Sequence, residues 1–330
     1  MPPVQRSLGS LARLVQQIEP GGRLVRTRRL RGGVGARMDV LDIERADGTR
    51  AKVSLRRFTR DDRASQPERV AHEYRVLHLV EQAGIPAPRP LLLDAHGDLF
   101  GVPAIVLTYL PGAPVYMPRD VTSWTGQLAQ ALLRIHAVTP ERFDLSWLHV
   151  QMRDGIRETI ETDQPRVREH SALAREVHAA LEAEIDRIEF LGPTFVHDDY
   201  WPGNTVWFRG RLTGVIDWTF GELGDPRSDV AQCRIDLTLI NDFDVADAFV
   251  GAYQSLSSGS LPRLWFFDLL RGLHALLSYD HWFTGYQDAK LAHVTKRRVR
   301  SRIEAGLRRA LAERESASRS VLKGGAKRLQ

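Results

Sequence analysis

The segment Thr194–Asp229 constrains the chemistry of this chain more than any other stretch of its sequence. Ionisable and amide side chains lie between its short apolar runs in greater number than a structural hairpin requires. As isolated residues, such acids and amides often serve only as helix caps and turn formers. The members that bear on a site are His197, Asp198, Asp199, Asn204, Asp217, Asp225 and Asp229.

The apolar runs of this segment predict three short strands, which are Phe195-Val196, Thr205–Phe208 and Leu212–Ile216. Gly210-Arg211 is typical of a turn between the last two. A loop that carries His-x-Asp and Asn, followed by a strand that delivers another Asp, can bring two metal ligands and a base into one small pocket. The segment therefore predicts an active site of the kinase type.

Length and composition are those of an ordinary globular protein. At 330 residues, with 43% hydrophobic and 26% charged, the chain has room for one large or two ordinary domains. Its formal net charge of +5 comes from basic segments near both ends, Arg23–Arg37, Lys296–Arg309 and Lys323–Arg328. Such a charge attracts nucleotides, nucleic acid or acidic membranes, or only solvates the surface, which is the simplest interpretation.

The sequence favours a cytoplasmic protein without a membrane span. Cys233 is its single cysteine, which excludes an intrachain disulfide and a cysteine-based zinc site. No apolar run approaches the roughly 18 residues of a membrane helix, since Pro103 and Thr108 interrupt the run Val102–Leu110. Polar residues break up the amino-terminal segment, so we expect no secretory signal.

The first part of the chain predicts a small antiparallel sheet with one main helix. Leucine and valine at helical spacing predict a leading helix over residues 7–18. Alternating runs follow, and the Asp47-Gly48 pair indicates a hairpin. The predicted bounds are Arg23–Leu30, Met38–Ala46 and Arg50–Phe58 for strands, Glu68–Ala83 for the main helix, and Pro90–Asp94 and Val102–Tyr109 for the last strands.

Two features of this part suit the binding of phosphate groups. Gly32 and Gly33 lie in a connection where backbone amides can approach a ligand closely, although an ordinary glycine turn is the alternative. Alternation places Arg56 on one face of the third strand, from which a basic side chain could hold phosphates. Glu73 of the following helix is either a surface charge or the partner that holds Arg56 in position.

The second part of the chain predicts a helical lobe. Leu110–Pro114 has the composition of a hinge, and the periodicity from Val121 onward is helical. The lobes are predicted at residues 1–110 and 111–315, and residues 316–330, which are polar and basic, are expected to form a disordered tail. The later helices are predicted at Arg168–Ile188, Val230–Leu239, Val245–Leu256, Pro262–Tyr279 and Thr295–Glu313.

Taken in order, these motifs resemble the aminoglycoside phosphotransferase family, which belongs to the protein-kinase-like superfamily and includes choline and homoserine kinases as relatives. The resemblance implies an α+β, bilobal fold, with a small antiparallel-sheet N-lobe that carries one main helix and a larger, mostly helical C-lobe. The motifs that carry it are Gly32-Gly33, Val53-Ser54-Leu55-Arg56, Glu73, His197-x-Asp199-x-x-Pro202-Gly203-Asn204, Ile216-Asp217-Trp218 and Gly224-Asp225-Pro226-x-x-Asp229.

The resemblance implies a magnesium-dependent phosphotransferase that moves the γ-phosphoryl group of ATP or GTP to a hydroxyl of a small molecule. Asp199 resembles the catalytic Asp that accepts the hydroxyl proton, and Asn204 and Asp217 look like the magnesium ligands. Arg56 stands where protein kinases have a lysine, so a planar fork replaces a point charge. The nucleotide-binding residues that it implies are Gly32, Gly33, Arg56, Glu73, Leu107, Tyr109 and Leu110.

The family pattern also implies structural residues in the loop, and the sequence departs from it at two places. His197, Asp225 and Asp229 resemble residues that brace the loop, the two acids through backbone amides. Asp198 stands where His-Gly-Asp is usual, and it either contacts substrate or metal or, as the favoured interpretation, faces solvent. Trp201 belongs to an unusual Tyr-Trp pair and either walls the substrate pocket or packs within the lobe.

The acceptor is predicted only as a class. Acids and aromatics of the helical lobe would suit a cationic acceptor or a sugar, and ordinary surface and core positions are the alternative. The candidates are Asp236, Asp280 and Trp282, together with Asp198 and Trp201.

Three other functions were weighed against the kinase. A nucleotide-binding pseudo-kinase with a regulatory or scaffold role is the first, because Arg56 and Asp198 depart from the family pattern. A metal-dependent hydrolase would have to combine His197-Asp198 with Asp280-His281, and the other histidines are scattered. A nucleic-acid module based on Lys296-Arg297-Arg298 lacks the aromatic interleaving that such modules use.

Overall fold

The computed structural model describes residues 3–30, 36–58 and 66–326, and these divide into two compact units. The sheet unit comprises the chain up to Pro114 together with Thr205–Phe220. The helical unit comprises Val115–Asn204 and the chain from Gly221 onward. The predicted phosphate loop with Gly32 and Gly33 lies outside the described residues.

The sheet unit contains two helices and five strands before its hairpin. They are α1 (Pro3–Ile18), β1 (Arg23–Arg29), β2 (Ala36–Glu44), β3 (Arg50–Phe58), α2 (Pro67–Gln82), β4 (Pro90–Asp94) and β5 (Ala104–Thr108). The strands form one antiparallel sheet in the order β1-β2-β3-β5-β4. Asp47 supports the turn between β2 and β3 by accepting a hydrogen bond from the Thr49 amide at 2.9 Å. Gly48 in the same turn has a φ of 82°, which glycine adopts without strain.

The core of the sheet unit forms between α1 and one face of the sheet. Leu14 of α1, Leu41 of β2 and Leu55 of β3 are fully buried in one cluster. Each such side chain contributes roughly 1.5–3 kcal/mol relative to an exposed position. Because side chains alternate along a strand, Arg56 points to the face opposite Leu55. On that face it contacts Glu73 of α2.

A hairpin from the middle of the chain belongs to the sheet unit, which corrects the predicted contiguous lobes at residues 1–110 and 111–315. It consists of β8 (Thr205–Phe208) and β9 (Arg211–Val215), and β6 (Val150–Gln151) and β7 (Thr194–Val196) precede it in the chain. The Val215 amide donates to the Pro86 carbonyl at 2.8 Å, and the Trp207 amide donates to the Ala113 carbonyl at 3.0 Å. These backbone bonds join the hairpin to the sheet unit.

The turn of this hairpin lies one residue earlier than predicted. Arg209 and Gly210 both have positive φ, at 51° and 77°, and β9 begins at Arg211. Such a pair of left-handed residues matches the twist of a two-residue hairpin.

The helical unit carries the remaining elements. They are α3 (Val121–His136), β6 (Val150–Gln151), α4 (Arg153–Glu169), α5 (Ala172–Glu184), β7 (Thr194–Val196), β10 (Glu222–Gly224), α6 (Pro226–Ile240), α7 (Phe243–Ser257), α8 (Leu264–Leu277), α9 (Tyr279–Asp288) and α10 (Lys296–Ala326). β10 pairs in parallel with β6 and antiparallel with β7. Gly272 lets α8 approach α10, since a Cβ there would lie 2.6 Å from the Leu307 side chain.

Two helices that the periodicity joined are divided in the structure. Residues 168–188 span the end of α4 and all of α5, because Ser171 caps α5 by accepting from the Ala174 amide at 3.2 Å. Residues 262–279 include α8 and the start of α9, with a break at Ser278. A cap or break inside an apolar period leaves the period itself intact, so periodicity does not reveal it.

The prediction of a disordered tail from Ser316 onward also differs from the structure, in which α10 continues to Ala326. Arg319 lies 3.6 Å from Glu315 one turn earlier, and such an ion pair supports a helix. Residues 327–330 lie outside the described part of the chain.

Candidate active site

The backbone of the loop that follows β7 is held by one buried carboxylate. Asp229, near the start of α6, accepts hydrogen bonds from the amides of His197 and Asp198 at 2.8 and 2.7 Å. The His136 ring nitrogen Nε2 lies 3.1 Å from the same carboxylate. Burial raises the pKa of Asp229, but the His136 hydrogen bond and the loop amide outweigh it, so the pKa lies below its usual value. The loop backbone is therefore tied to an ionised group.

The candidate base lies on this loop beside the candidate metal ligand. The Asn204 side-chain amide donates from Nδ2 to the Asp199 carboxylate at 2.8 Å and to the Asp199 carbonyl at 2.9 Å. Both bonds use Nδ2, and Oδ1 takes part in neither of them. Asp199 is half-buried, and its amide donates to His197 Nδ1 at 3.3 Å. The two hydrogen bonds from Asn204 orient the Asp199 carboxylate.

Trp201 covers the backbone of the same loop. A Cβ on Gly203 would lie 2.2 Å from the Trp201 ring, so only glycine fits beneath it. The ring packs against Tyr116 and Tyr286, with centroids 6.1 and 6.0 Å apart. Trp201 thus packs within the helical unit, which was one of its two predicted roles.

Asp236 lies beside these aromatics and is nearly inaccessible. It accepts a hydrogen bond from the Tyr286 hydroxyl at 2.6 Å and one from Gln232 at 2.9 Å. Burial raises its pKa to about 7, against the effect of both hydrogen bonds. Tyr286 therefore contacts both Trp201 and Asp236.

Asp198 does not face solvent, which corrects the favoured interpretation of this residue. Its side chain is 24% exposed and forms an ion pair with Arg271 of α8. Its φ is 62°, in the left-handed region that a glycine adopts easily and that Asp tolerates better than most residues. The ion pair and the Asp229 bond to its amide offset this backbone cost.

Asp225 caps α6 and holds a buried arginine. It accepts from the Arg227 amide at 2.9 Å and from the Arg227 guanidinium at 2.8 and 2.5 Å. It also accepts from the Leu191 amide at 2.8 Å, so it links α6 to the segment before β7. Arg227 is 0% exposed, and its remaining donors reach backbone carbonyls, including that of Glu189 at 2.8 Å.

Replacing Asp225 with Ala is expected to lower the free energy of unfolding by about 3–5 kcal/mol, because the Arg227 charge would stay buried without its carboxylate. Urea unfolding followed by circular dichroism measures the loss. Asp242→Ala is the matched control, since exposed Asp242 caps α7 through the Val245 amide at 3.0 Å without a buried cation. Its expected loss is about 1 kcal/mol, and equal losses in the two variants would contradict the account.

The sheet unit contributes a second charged cluster, built on Arg56. The guanidinium lies 2.5 Å from Glu73 and 3.0 Å from Asp217, which follows β9. The Thr219 hydroxyl lies 3.1 Å from Glu73 and 2.9 Å from Asp217. Burial lowers the pKa of Arg56, but Asp217 and Glu73 outweigh it and the pKa lies above its usual value. Arg56 is therefore a permanent cation held by two carboxylates.

Asp217 combines accessibility with an uncommon backbone. Its side chain is 39% exposed and its φ is 64°. Such conformations in non-glycine residues concentrate at functional sites, where surrounding structure holds them. The adjacent Trp218 is fully buried and donates to the Val215 carbonyl at 3.1 Å, which anchors the segment.

The predicted hinge residues follow the central part of the sheet. Leu107 lies in β5 and is buried, while Tyr109 and Leu110 are half-buried after the strand ends. Tyr109 lies under the Lys52 ammonium at 5.8 Å, and the Leu110 side chain occupies the space that a Cβ on Gly214 would take.

The two remaining acceptor candidates lie on α9. Asp280 is 81% exposed and pairs with Lys296 at 2.9 Å, and the ring of Trp282 lies 6.5 Å from that of His274. These are contacts of a charged surface. Because His197 is fully buried while Asp280 is on the surface, the pairing that a hydrolase would need has no support.

Sequence reasoning missed the partners that hold the predicted residues. Arg227 lies two positions after Asp225, so a buried pair could have been suspected there. His136 and Arg271 are far along the chain from Asp229 and Asp198, so nothing local marks them. Thr219 was passed over because a single threonine carries no motif.

The fold is that of protein-kinase-like phosphotransferases, with a small antiparallel sheet carrying one main helix and a larger helical unit, as the resemblance implied. A family model described as the phosphotransferase enzyme family matches residues 39–267, and the chain belongs to that family.

Individual relatives agree with this membership. The homoserine kinase of Chelativorans sp. is 32% identical over 161 residues, which cover 47% of this chain and 49% of that kinase. The chain thus spans about half the length of this curated relative. Among solved structures, it is similar to the macrolide 2'-phosphotransferase of Brachybacterium faecium, at 22% identity and a TM-score of 0.58 over 90% of this chain and 97% of that one.

A further solved structure is a thermostable mutant of an aminoglycoside phosphotransferase in a ternary complex with AMP-PNP and hygromycin B. It is 18% identical, with a TM-score of 0.62 over 91% of this chain and 98% of that one. No helix in the described part of this chain has the length and apolar character needed to cross a membrane.

Proposed function

We propose that this protein is a magnesium-dependent kinase that transfers the γ-phosphoryl group of ATP or GTP to a hydroxyl of a small molecule. The observation that carries the proposal is the contact between the Asn204 amide and the Asp199 carboxylate, on a loop tied to buried Asp229. Homoserine kinases among the relatives, and a related fold that binds AMP-PNP and hygromycin B, support it.

Asp199 is the proposed base. A carboxylate that accepts a hydrogen bond from the acceptor hydroxyl orients it for attack and takes its proton as the new bond forms. Asn204 holds one of the two carboxylate oxygens in place, which fixes the direction of the group. Positioning of this kind supplies much of the rate enhancement in phosphoryl transfer.

Arg56 is the proposed phosphate ligand of the sheet unit. Its charge is held by Glu73, so the guanidinium is oriented before a nucleotide arrives. Gly32 and Gly33 are proposed to contact the phosphates through backbone amides. Leu107, Tyr109 and Leu110 are proposed to bind the purine ring of the nucleotide. A guanidinium at this position can donate two hydrogen bonds at once, where an ammonium acts as a point charge.

Asn204 and Asp217 are the proposed magnesium ligands, because Asn204 Oδ1 and the Asp217 carboxylate are hard oxygen donors of the kind that magnesium prefers. Bound magnesium would neutralise the phosphate charge that develops during transfer. The half-exposed Asp217 and the use of Asn204 Nδ2 in both of its bonds to Asp199 fit this role.

The acceptor is proposed to contact the half-buried ring of Trp201, while buried Asp236 would act on it only through the Tyr286 hydroxyl. An aromatic ring suits a sugar or an amine-bearing alcohol. Asp280 and Trp282 are weaker candidates, because Asp280 already forms an exposed ion pair with Lys296.

Release of ADP or GDP in the presence of a panel of alcohols, amino sugars and nucleosides tests the function. We expect acceptor-dependent release that stops when magnesium is chelated. Release without any acceptor would indicate hydrolysis only. Tight nucleotide binding with no turnover on the whole panel would favour the pseudo-kinase. The contact between Arg56 and Asp217 is compatible with that alternative function as well.

A further inference from the structure

The helical unit contains a cavity that is lined by Asp198, the loop residue before Asp199. Its volume is about 70 Å³, it is partly open to solvent, and Asp199 does not line it. Its apolar walls come largely from α4 and α8. The carboxylates that line it are Asp163, Asp198, Glu222 and Asp225, of which Asp225 is paired with Arg227, and Ser228, Arg271 and His274 line it as well.

The carboxylates of this cavity outnumber the cations that neutralise them. Asp198 pairs with Arg271, and Asp163 pairs with Arg166 at 3.1 Å. In the described part of the chain, the ion-pair partner of Glu222 of β10 is the His149 ring at 3.0 Å, and that ring is 68% exposed. Glu222 itself is 16% exposed. A buried carboxylate without a permanent cation attracts a positive charge from solution.

The titration of Glu222 agrees with this imbalance. Burial, together with the nearby carboxylates of Asp198 and Asp229, raises the pKa of Glu222 to about 8, against the opposing effect of Arg271. In the free protein at neutral pH, a proton therefore supplies the missing positive charge. A ligand cation could take its place.

Arg271 is already engaged at the wall of the cavity. One of its terminal nitrogens binds Asp198 and lies 2.6 Å from the Ser228 hydroxyl. Its Nε has no hydrogen-bond partner among the described residues, but it is buried and is not accessible from the cavity. Recognition of a ligand therefore depends on the carboxylates of the cavity, above all on Glu222.

We propose that this cavity is a second ligand site, which takes a small amine whose ammonium pairs with Glu222. The site is separate from the proposed transfer chemistry, because it lies on the Asp198 side of the loop. Asp198 connects the two, since it contacts Arg271 in the cavity and is bonded to Asp199 along the chain.

Binding of 3-amino-1-propanol, without nucleotide or magnesium, tests this site. A ligand-observed NMR titration at pH 8.5 should show saturable binding to the wild type and equal binding to Asp199→Asn. Glu222→Gln should weaken it by roughly ten-fold or more, as expected for the loss of a charge-assisted pair. Neutral 1,3-propanediol should not compete.

Two controls keep the result specific to the cavity. Glu315→Gln makes the same change at a carboxylate of α10 that is 66% exposed, and it should bind the amine as the wild type does. Circular dichroism of Glu222→Gln establishes that the variant is folded. Absence of binding to the wild type, or unchanged affinity in folded Glu222→Gln, would overturn the proposal.

The pH dependence gives a measurement that needs no variant. The charged groups that face Glu222 are His149, Asp198, Asp229 and Arg271. Its pKa of about 8 means that the carboxylate is protonated as pH falls, so lowering the pH from 8.5 to 6.5 should weaken amine binding by roughly 25-fold. The same affinity at both pH values would contradict a site built on Glu222.

Discussion

Replacing Asp199 with Asn is expected to lower turnover by about a hundred-fold to ten-thousand-fold, which is the range for loss of a general base. The substitution keeps the size of the side chain and an oxygen for the Asn204 amide, but it removes the charge that receives the hydroxyl proton. Nucleotide affinity should stay within about two-fold of the wild type, because the residues proposed to contact the phosphates and the purine ring do not include Asp199. Steady-state assays and calorimetric titration separate these two quantities.

The control for this experiment is Asp186→Asn, which makes the same chemical change at a carboxylate that is 71% exposed. It should leave turnover unchanged. Normal turnover in Asp199→Asn would sink the assignment of the base. A parallel fall in nucleotide affinity would instead indicate that the variant disturbs the loop.

Replacing Asp217 with Ala is expected to abolish the magnesium dependence of nucleotide binding. Metal held by a carboxylate and a nucleotide together raises the affinity for the nucleotide, and the variant lacks the carboxylate. Calorimetric titrations of nucleotide with magnesium and with a chelator measure the dependence. Affinity in the chelator should be retained, because Arg56 keeps its contact with Glu73 at 2.5 Å.

Asp217→Asn refines this test, since it keeps a neutral oxygen that binds magnesium more weakly than a carboxylate does. We expect it to fall between the wild type and Asp217→Ala. If magnesium still raises nucleotide affinity in Asp217→Ala as it does in the wild type, another residue is the metal ligand.

The fold was accessible from the sequence wherever a local pattern coincided with one element. β3 begins and ends where alternation predicted, and the Asp47-Gly48 turn has the chemistry of its hairpin. The helix break before Ser171 was missed because a cap does not interrupt the apolar period. The assignment of β8 and β9 to the sheet unit was missed because it depends on bonds to Pro86 and Ala113, which no local pattern reveals.

In the candidate site, too, residues within one sequence segment could be predicted, whereas their partners from distant segments could not. Asp199, Asn204 and Asp217 could be named because they lie in one segment with strong motifs. The residues that hold this segment come from elsewhere, as His136 does for Asp229 and Arg271 for Asp198. The side chain at position 198 was expected to be in solvent because its arginine lies on a helix that the sequence does not connect to it.

Phosphorus NMR of the reaction mixture tests the central claim most directly. Protein, magnesium and ATP or GTP are incubated with each acceptor of the panel, and the spectrum is followed for a new phosphate monoester. The account predicts a monoester of one small hydroxylated acceptor, formed by the wild type and lost in Asp199→Asn. Bound nucleotide that yields no phosphorylated acceptor, or a monoester that forms equally well in Asp199→Asn, would contradict it.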